Sequence, residues 1–145
     1  RAEPDPQLIC IGLGFGVEEA NIDAELPLRA DGLVHALREA TEDAGCTMGD
    51  LDFRITDVSG EQYAFREAEL ALLRTLRKRK EEFDIWHPAD CVGEVGAAIG
   101  PVIFIVAMMA TQNTYTPGRN MLCHFSNDDG KRAAVVLTYQ YVRAD

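Results

Sequence analysis

The histidines and cysteines are the residues of this sequence best suited to acid–base or nucleophilic chemistry. His87 stands directly after a predicted strand, where its side chain could reach a cleft, whereas His124 lies inside a predicted strand and could point to either side. Cys91 and Cys123 could act as nucleophiles only beside a base that lowers the thiol pKa, and the sequence shows no such arrangement. These residues alone therefore define no catalytic site.

The four cysteines lie far apart, and none forms the CxxC spacing of a zinc ribbon or a thioredoxin-type site. Their spacing also argues against the disulfide framework of a secreted domain, so we expect a reduced, cytoplasmic protein. Asp128 and Asp129 could bind a cation, but no loop of EF-hand spacing surrounds them, which favours a solvated turn. The sequence therefore predicts neither a metal site nor a cofactor.

A glycine-rich stretch follows the first predicted strand, which covers residues 8–13. Its spacing from Gly12 to Gly16 is GxGxG rather than GxGxxG, and the acidic pair Glu18 and Glu19 comes directly after it. Because acidic side chains repel phosphate, we predict a tight exit from a strand that is buried on both faces, and not a phosphate-binding loop.

The strongest basic stretch lies at the end of a helix predicted over residues 61–80. Two interpretations are open. The positive charges could complement the negative end of the helix dipole, or they could form a docking patch for an acidic partner on an otherwise acidic chain. The residues of this basic patch are Arg74, Arg77, Lys78, Arg79 and Lys80.

Composition and charge limit the class of protein. The 145 residues are 47% hydrophobic and 26% charged, which is typical of one globular domain. The net charge of −10 opposes approach to nucleic acid or to an anionic membrane surface, because both are negative. Residues 1–7 lack the pattern of a signal peptide and are interpreted as a linker from an upstream region, with residues 8–145 forming the domain.

Predicted strands and helices alternate along the chain, which indicates an α/β architecture. Asp31 introduces a helix with apolar residues three and four positions apart, and Gly45 stands where its C-terminal cap belongs. Further strands are predicted over residues 52–56 and 83–86. A hairpin of residues 120–125 and 133–142 is expected to form an edge of the sheet.

The segment between Glu94 and Arg119 contains no charged residue. Its apolar core, residues 96–110, is shorter than the roughly 20 residues of a membrane span and is interrupted by glycines and Pro101 near its start. Pro101 suits a first helical turn. We predict a helix that is apolar on all sides, and therefore one that is enclosed by protein on every side.

Several short motifs resemble, in the right order, the C-terminal half of the thiolase-like condensing enzymes, especially the β-ketoacyl-acyl-carrier-protein synthases. The helix and strand from Gly32 to Phe53 resemble the family's helix and its "D-I-D-Y" strand. Glu67 and Ala68 fall where its "E-A" helix begins. Residues 96–98 read Gly-Ala-Ala, as in the family's G-H-x-x-G-A-A-G motif ahead of a buried central helix, and residues 115–118 resemble its "P-P-T" turn.

The resemblance implies chemistry that the matching positions of this sequence do not carry. Condensing enzymes use a cysteine nucleophile from the N-terminal half, together with histidines that stabilise oxyanions by donating hydrogen bonds. The first histidine should fall within residues 57–60 and the second at residue 93 or 94, where a carboxylate would repel an oxyanion. The glycine-rich "G-F-G-G-T-N" loop is matched by residues 126–131, with one glycine in common. We predict no catalytic residue and only a vestigial site, formed by Asp57, Ser59, His87, Glu94 and His124.

The resemblance also implies function and partners. The preferred expectation is a catalytically inactive protein-binding scaffold, an accessory module of the kind found beside type VI secretion effectors. The alternative is the C-terminal half of an active synthase or thiolase that performs acyl transfer and Claisen condensation. Either version requires an N-terminal thiolase-like half, from the same gene or another chain, and the complete protein is expected to form a homodimer. An acyl carrier or an effector protein is a further candidate partner.

Overall fold

A computed structural model describes residues 5–19, 29–57, 62–77, 80, 83–86, 99–112, 118–127 and 130–142 of the chain. Its strands and α-helices alternate, as the sequence predicts. In chain order they are β1 (Asp5–Val17), α1 (Asp31–Ala44), β2 (Phe53–Thr56), α2 (Gln62–Thr75), β3 (Ile85–Trp86), α3 (Ile99–Gln112), β4 (Asn120–Ser126) and β5 (Lys131–Val142).

The strands form one five-stranded mixed sheet in the order β1-β5-β4-β2-β3. Strand β2 is parallel to β3 and β4, whereas β5 is antiparallel to both β4 and β1. The predicted hairpin is confirmed. Its predicted place at an edge is wrong, because β1 pairs with β5 along nearly its whole length and leaves β5 inside the sheet.

Strand β1 differs from the prediction in length and in burial. It continues past the predicted end at residue 13 to Val17, so the glycines lie inside the strand and do not form an exit. The strand is also not buried on both faces, because Phe15 and Val17 are exposed in this chain. Pairing with β5 extends the strand, and such pairing between residues far apart in sequence leaves no local signal in β1 itself.

The glycines let α1 approach β1 closely. A Cβ atom on Gly14 would lie 2.1 Å from the carbonyl oxygen of Ala36, and one on Gly12 would lie 2.1 Å from that of Ala40. Both residues of α1 are small and buried. The GxGxG spacing therefore reflects alternate strand positions that face a helix, since successive residues of a strand point to opposite sides.

Helix α1 ends as predicted, with Gly45 in the left-handed conformation at φ 70°. Together with α2 it covers one face of the sheet, where Leu33, Leu37, Leu122 and Val136 belong to one buried cluster. Helix α3 covers part of the opposite face and contributes Ile103 and Ala107 to a second cluster; its partners there include Phe53, Ile55, Met121 and Val135.

Helices α2 and α3 each differ from the prediction at one point. Helix α2 ends at Thr75 rather than at Lys80, so most of the basic patch follows the helix and is not part of its last turns. Helix α3 holds Pro101 in its first turn as predicted. Within the described ranges only one side of α3 is covered, because Ile105 and Met109 are both 58% exposed. None of the helices in the described ranges is long and apolar enough to cross a bilayer.

Candidate functional site

Polar residues from four strands meet at one edge of the sheet. Strands β2 and β4 are parallel, so both end at this edge, where the Asp57 carboxylate accepts a hydrogen bond from the Ser126 backbone N–H at 2.9 Å. Strand β5 begins there with Arg132 as its second residue, and β1 ends there just before Glu18. Sites in α/β proteins commonly form where parallel strands end. We call these residues the polar edge.

A buried ion pair is the strongest interaction of the polar edge. The Nε of Arg132 donates to the Oε1 of Glu67 at 2.6 Å, and a second guanidinium nitrogen donates to Oε2 at 3.0 Å. Both side chains are buried. The third nitrogen of Arg132 donates to the backbone carbonyls of Asn127 and Lys131. All three guanidinium nitrogens therefore have partners, and the pair ties α2 to the turn between β4 and β5.

Glu18 fixes the same turn from the other side. Its backbone N–H donates to the Gly130 carbonyl at 2.6 Å, and its carboxylate accepts from the Gly32 N–H at the start of α1. Gly130 has a φ of 90°, and a Cβ atom there would lie 2.4 Å from the Glu18 carbonyl oxygen. Only glycine fits this position without strain.

Burial and the Glu67–Arg132 ion pair together set the electrostatics of the polar edge. Burial raises the pKa of Asp57, and the hydrogen bond from the Ser126 backbone and the positive charge of Arg132 only partly oppose that rise. Burial alone would lower the pKa of Arg132, but the hydrogen bond and the charge of Glu67 outweigh it and raise the pKa of this guanidinium. Arg132 therefore stays charged and is paired with Glu67.

His124 lies beside the polar edge but is enclosed by protein. Its Nδ1 is hydrogen bonded to the Thr56 hydroxyl at 3.2 Å. Burial, with a smaller contribution from the charge of Arg54, lowers the pKa of His124 to about 3. Because His124 is next to Cys123, which packs on the α3 side, its side chain points to the opposite face, toward α1 and α2. The imidazole is therefore neutral and faces away from α3.

The structure brings together two of the five residues assigned to the vestigial site. Asp57 directly follows the last residue of β2, and His124 lies near the end of the neighbouring strand β4, so both are at the same edge of the sheet. Ser59, His87 and Glu94 lie outside the described residues. Sequence reasoning missed the positive charge of Arg132 beside Asp57 and the ion pair of Arg132 with Glu67. These two residues are 65 positions apart, and no local pattern links them.

The described residues of the basic patch lie beside the loop that precedes β2. Arg74 donates to the Asp31 carboxylate and to the Arg29 carbonyl, each at 2.7 Å. Lys80 donates to the carbonyls of Gly49 and Leu51. Arg77 is exposed and lines the same cavity of about 700 Å³ as the other two. Lys78 and Arg79 lie outside the described residues. Two of these cations therefore stabilise loops of the fold itself.

The described cysteines differ in accessibility. Cys123 is fully buried, and burial raises the pKa of its thiol to about 12. Cys10 is exposed, whereas Cys91 lies outside the described residues. A buried, protonated thiol is a poor nucleophile. Among the residues that the structure places, His, Cys, Asp and Glu side chains form no group of three that could hold a metal ion.

The largest unexpected feature is apolar and lies on the α3 side of the sheet. Leu13 and Phe15 of β1 pair with Val135 and Ala133, so they share the face on which Val135 packs with Ile103 of α3. We define the apolar face by its exposed members, which are Leu13, Phe15, Val17, Phe104, Ile105 and Met109. The alternation of glycine with large apolar residues from Gly12 to Val17 is the signal that could have predicted it.

Comparison with solved structures identifies the architecture. A polyketide ketosynthase in complex with its acyl-carrier protein superposes with a TM-score of 0.75 at 13% identity, over 88% of this chain and 37% of the matched chain. The chain has a thiolase-like condensing-enzyme fold. A ketosynthase in complex with its chain length factor from Xenorhabdus doucetiae gives a TM-score of 0.69 at 11% identity, over 97% of this chain and 40% of the other.

A third solved structure that matches this chain is 3-oxoacyl-[acyl-carrier-protein] synthase III from Aquifex aeolicus. Its TM-score is 0.61 at 13% identity, over 96% of this chain and 55% of the synthase. This chain therefore spans about half or less of the length of these condensing enzymes. The sequence matches no family model and no curated protein.

Proposed function

We propose that this chain is the C-terminal half of a thiolase-like protein without catalytic histidines, and that it acts as a protein-binding scaffold. The observation that carries the proposal is the composition of the polar edge. Where the resemblance requires a histidine, Asp57 accepts a hydrogen bond from the Ser126 backbone, and the neighbouring Arg132 is fully engaged by Glu67 and the turn.

The chemistry of condensation explains why this composition supports an inactive site. An oxyanion is stabilised by donors that point at it from preorganised positions. An ionised Asp57 can only accept hydrogen bonds, and the guanidinium nitrogens of Arg132 already donate to other groups. His124, the described histidine nearest to this edge, points toward α1 and α2 and is hydrogen bonded to Thr56. None of these three side chains therefore offers an oxyanion a preorganised donor.

The apolar face supports the second part of the proposal, which is that an N-terminal thiolase-like half covers it. Fully burying one large apolar side chain contributes roughly 1.5 to 3 kcal/mol. Six such side chains are exposed here on adjoining elements, and contiguous exposed apolar surface typically marks an interaction site. The matched condensing enzymes are about twice as long as this chain, which supports a second half of similar size as the occupant.

The inactive scaffold can be tested on the full-length protein with an acyl-thioester burst assay. We expect a folded protein and no covalent acyl-enzyme by intact mass spectrometry. Acylation would overturn the proposal and support the alternative, a synthase or thiolase half whose nucleophile comes from the N-terminal half. The resemblance and the ketosynthase neighbours keep this alternative open.

The covering half can be tested separately. Ile105→Asp combined with Met109→Asp places two charges on the apolar face and should abolish copurification with a coexpressed N-terminal thiolase-like half. The matched control is Leu73→Asp on α2, because Leu73 is 77% exposed on the other side of the sheet. Equal binding by both variants would show that the apolar face is not the interface.

Further partners follow from the basic patch. An acyl carrier protein or a type VI effector would present acidic residues to it, and the matched ketosynthase structure with a bound carrier protein supports that class of partner. Arg77→Ser should then weaken carrier binding severalfold without changing stability, since Arg77 is exposed. Unchanged carrier binding would restrict the patch to a structural role.

The complete protein is expected to elute as a homodimer on size-exclusion chromatography with light scattering.

A further inference from the structure

A row of polar side chains on α1 runs along the outer edge of β1. Asp43 accepts a hydrogen bond from the Leu13 backbone N–H at 3.0 Å, and Glu39 accepts one from the Phe15 N–H at 3.2 Å. The ring Nδ1 of His35 donates to the Phe15 carbonyl at 2.6 Å. We call His35, Glu39 and Asp43 the edge row; they are four residues apart and therefore lie on one side of the helix.

These bonds exist because the helix lies unusually close to the strand. The glycines of β1 face Gly32, Ala36 and Ala40 of α1 at distances that leave no room for a Cβ atom. Side chains on the flank of α1 can therefore reach around the strand to its backbone. The same glycine spacing that suggested a turn in the sequence is what allows the edge row to form its bonds.

These hydrogen bonds engage the N–H of Leu13 and the N–H and C=O of Phe15, which are backbone groups that an edge strand otherwise leaves unpaired. Strand β1 is an outer strand of the sheet, and its inner side is paired with β5. An edge strand presents free N–H and C=O groups on which another strand can form, and a long apolar one is prone to such pairing. Strand β1 is 13 residues long and carries Leu13 and Phe15 in its exposed part.

We propose that the edge row is a latch that closes the outer edge of β1 at Leu13 and Phe15 to strand addition, and so directs association to the apolar face. The latch itself does not depend on the proposed function. Only the statement that partners bind the apolar face rests on the proposed function. A second copy of this chain, pairing β1 with β1, is the occupant that the latch excludes.

Residue-resolved amide hydrogen exchange of the full chain tests the bonds. Asp43→Ala should speed exchange of the Leu13 amide by about threefold to tenfold, the net strength of one hydrogen bond, and Glu39→Ala should do the same for Phe15. Each variant is the control for the other, and Asp43→Asn should restore protection of Leu13 because its amide oxygen still accepts. Alanine at these exposed helical positions favours α1, so the fold should persist.

Light scattering tests what the latch does. The triple variant His35→Ala, Glu39→Ala, Asp43→Ala should show more concentration-dependent self-association than wild type and the control Glu42→Ala. The additional self-association should persist when Ile105→Asp places a charge on the apolar face, because it is formed by the edge of β1 and not by that face. Unchanged exchange at Leu13 and Phe15, or a triple variant that associates no more than wild type, would overturn the proposal.

Discussion

Protonation of His124 should destabilise the fold as the pH falls. The imidazole is 4% exposed, is hydrogen bonded to Thr56, and lies near the positive charge of Arg54. Burial therefore favours the neutral form and lowers the pKa from 6.5 to about 3. In the unfolded chain the same histidine is solvated and titrates near its ordinary value.

The sign and the size follow from proton linkage. Between pH 6.5 and 3 the unfolded chain binds a proton at His124 that the folded chain does not, so the free energy of unfolding falls as the pH falls. Above pH 6.5 His124 is neutral in both the folded and the unfolded chain, so it removes no stability from the fold. Each pKa unit corresponds to about 1.4 kcal/mol. His124 should thus remove about 2 kcal/mol of stability at pH 5, and about 5 kcal/mol once the pH falls below both values.

Urea denaturation of wild type and His124→Asn at pH 7.5 and pH 5 measures this contribution. Asparagine keeps an amide near the Thr56 hydroxyl but does not titrate, so the variant should lose about 2 kcal/mol less than wild type between the two pH values. If wild type and His124→Asn lose the same stability, His124 is not held neutral by burial.

Three further outcomes are expected. Gly14→Ala should destabilise the fold by several kcal/mol, because its Cβ would lie 2.1 Å from a carbonyl oxygen of α1. Glu67→Gln should destabilise it by about 3 to 5 kcal/mol, because it leaves the buried charge of Arg132 without its counterion. Cys10 should react rapidly with iodoacetamide in the folded protein, whereas Cys123 should react only after unfolding.

Each outcome has an internal comparison. Gly49→Ala is the control for Gly14, because a Cβ there would lie 3.6 Å from its nearest neighbour, and equal losses on urea denaturation would contradict the close helix–strand contact. Replacing the Glu67–Arg132 pair by Leu and Met together should cost less than Glu67→Gln alone; a larger loss would show that the pair is net stabilising. Peptide mapping of alkylated protein separates the two cysteines, and early labelling of Cys123 would contradict its burial.

Local patterns predicted the elements whose signals lie within one segment. Helix α1 has apolar residues at helical spacing and a glycine at its end, and the structure confirms both of these. The hairpin of β4 and β5 has an Asp-Gly turn between two apolar runs, and it also forms as predicted. These signals are local because capping and turn formation involve residues a few positions apart.

Features that depend on distant pairing were not predictable in the same way. The length of β1 follows from its register with β5, in which Asp5 pairs with Val142, 137 positions later. The end of α2 at Thr75 leaves Lys80 free to reach the Gly49 and Leu51 carbonyls, 31 and 29 positions earlier. The family resemblance predicted that Asp57 belongs to the candidate site. Which residues surround Asp57 could be seen only in the folded structure.

The two faces of the sheet are stabilised by different interactions, and this difference bears on binding. On the α2 side, two buried arginines are paired within the chain, Arg132 with Glu67 and Arg54 with Glu69. On the α3 side, Ile105 and Met109 remain exposed. A face whose charges are already paired contributes little to the attraction of a partner, whereas an exposed apolar face gains free energy whenever water is removed from it. The asymmetry therefore favours the association of apolar partners on the α3 side, and the proposed latch opposes strand addition to β1 at Leu13 and Phe15.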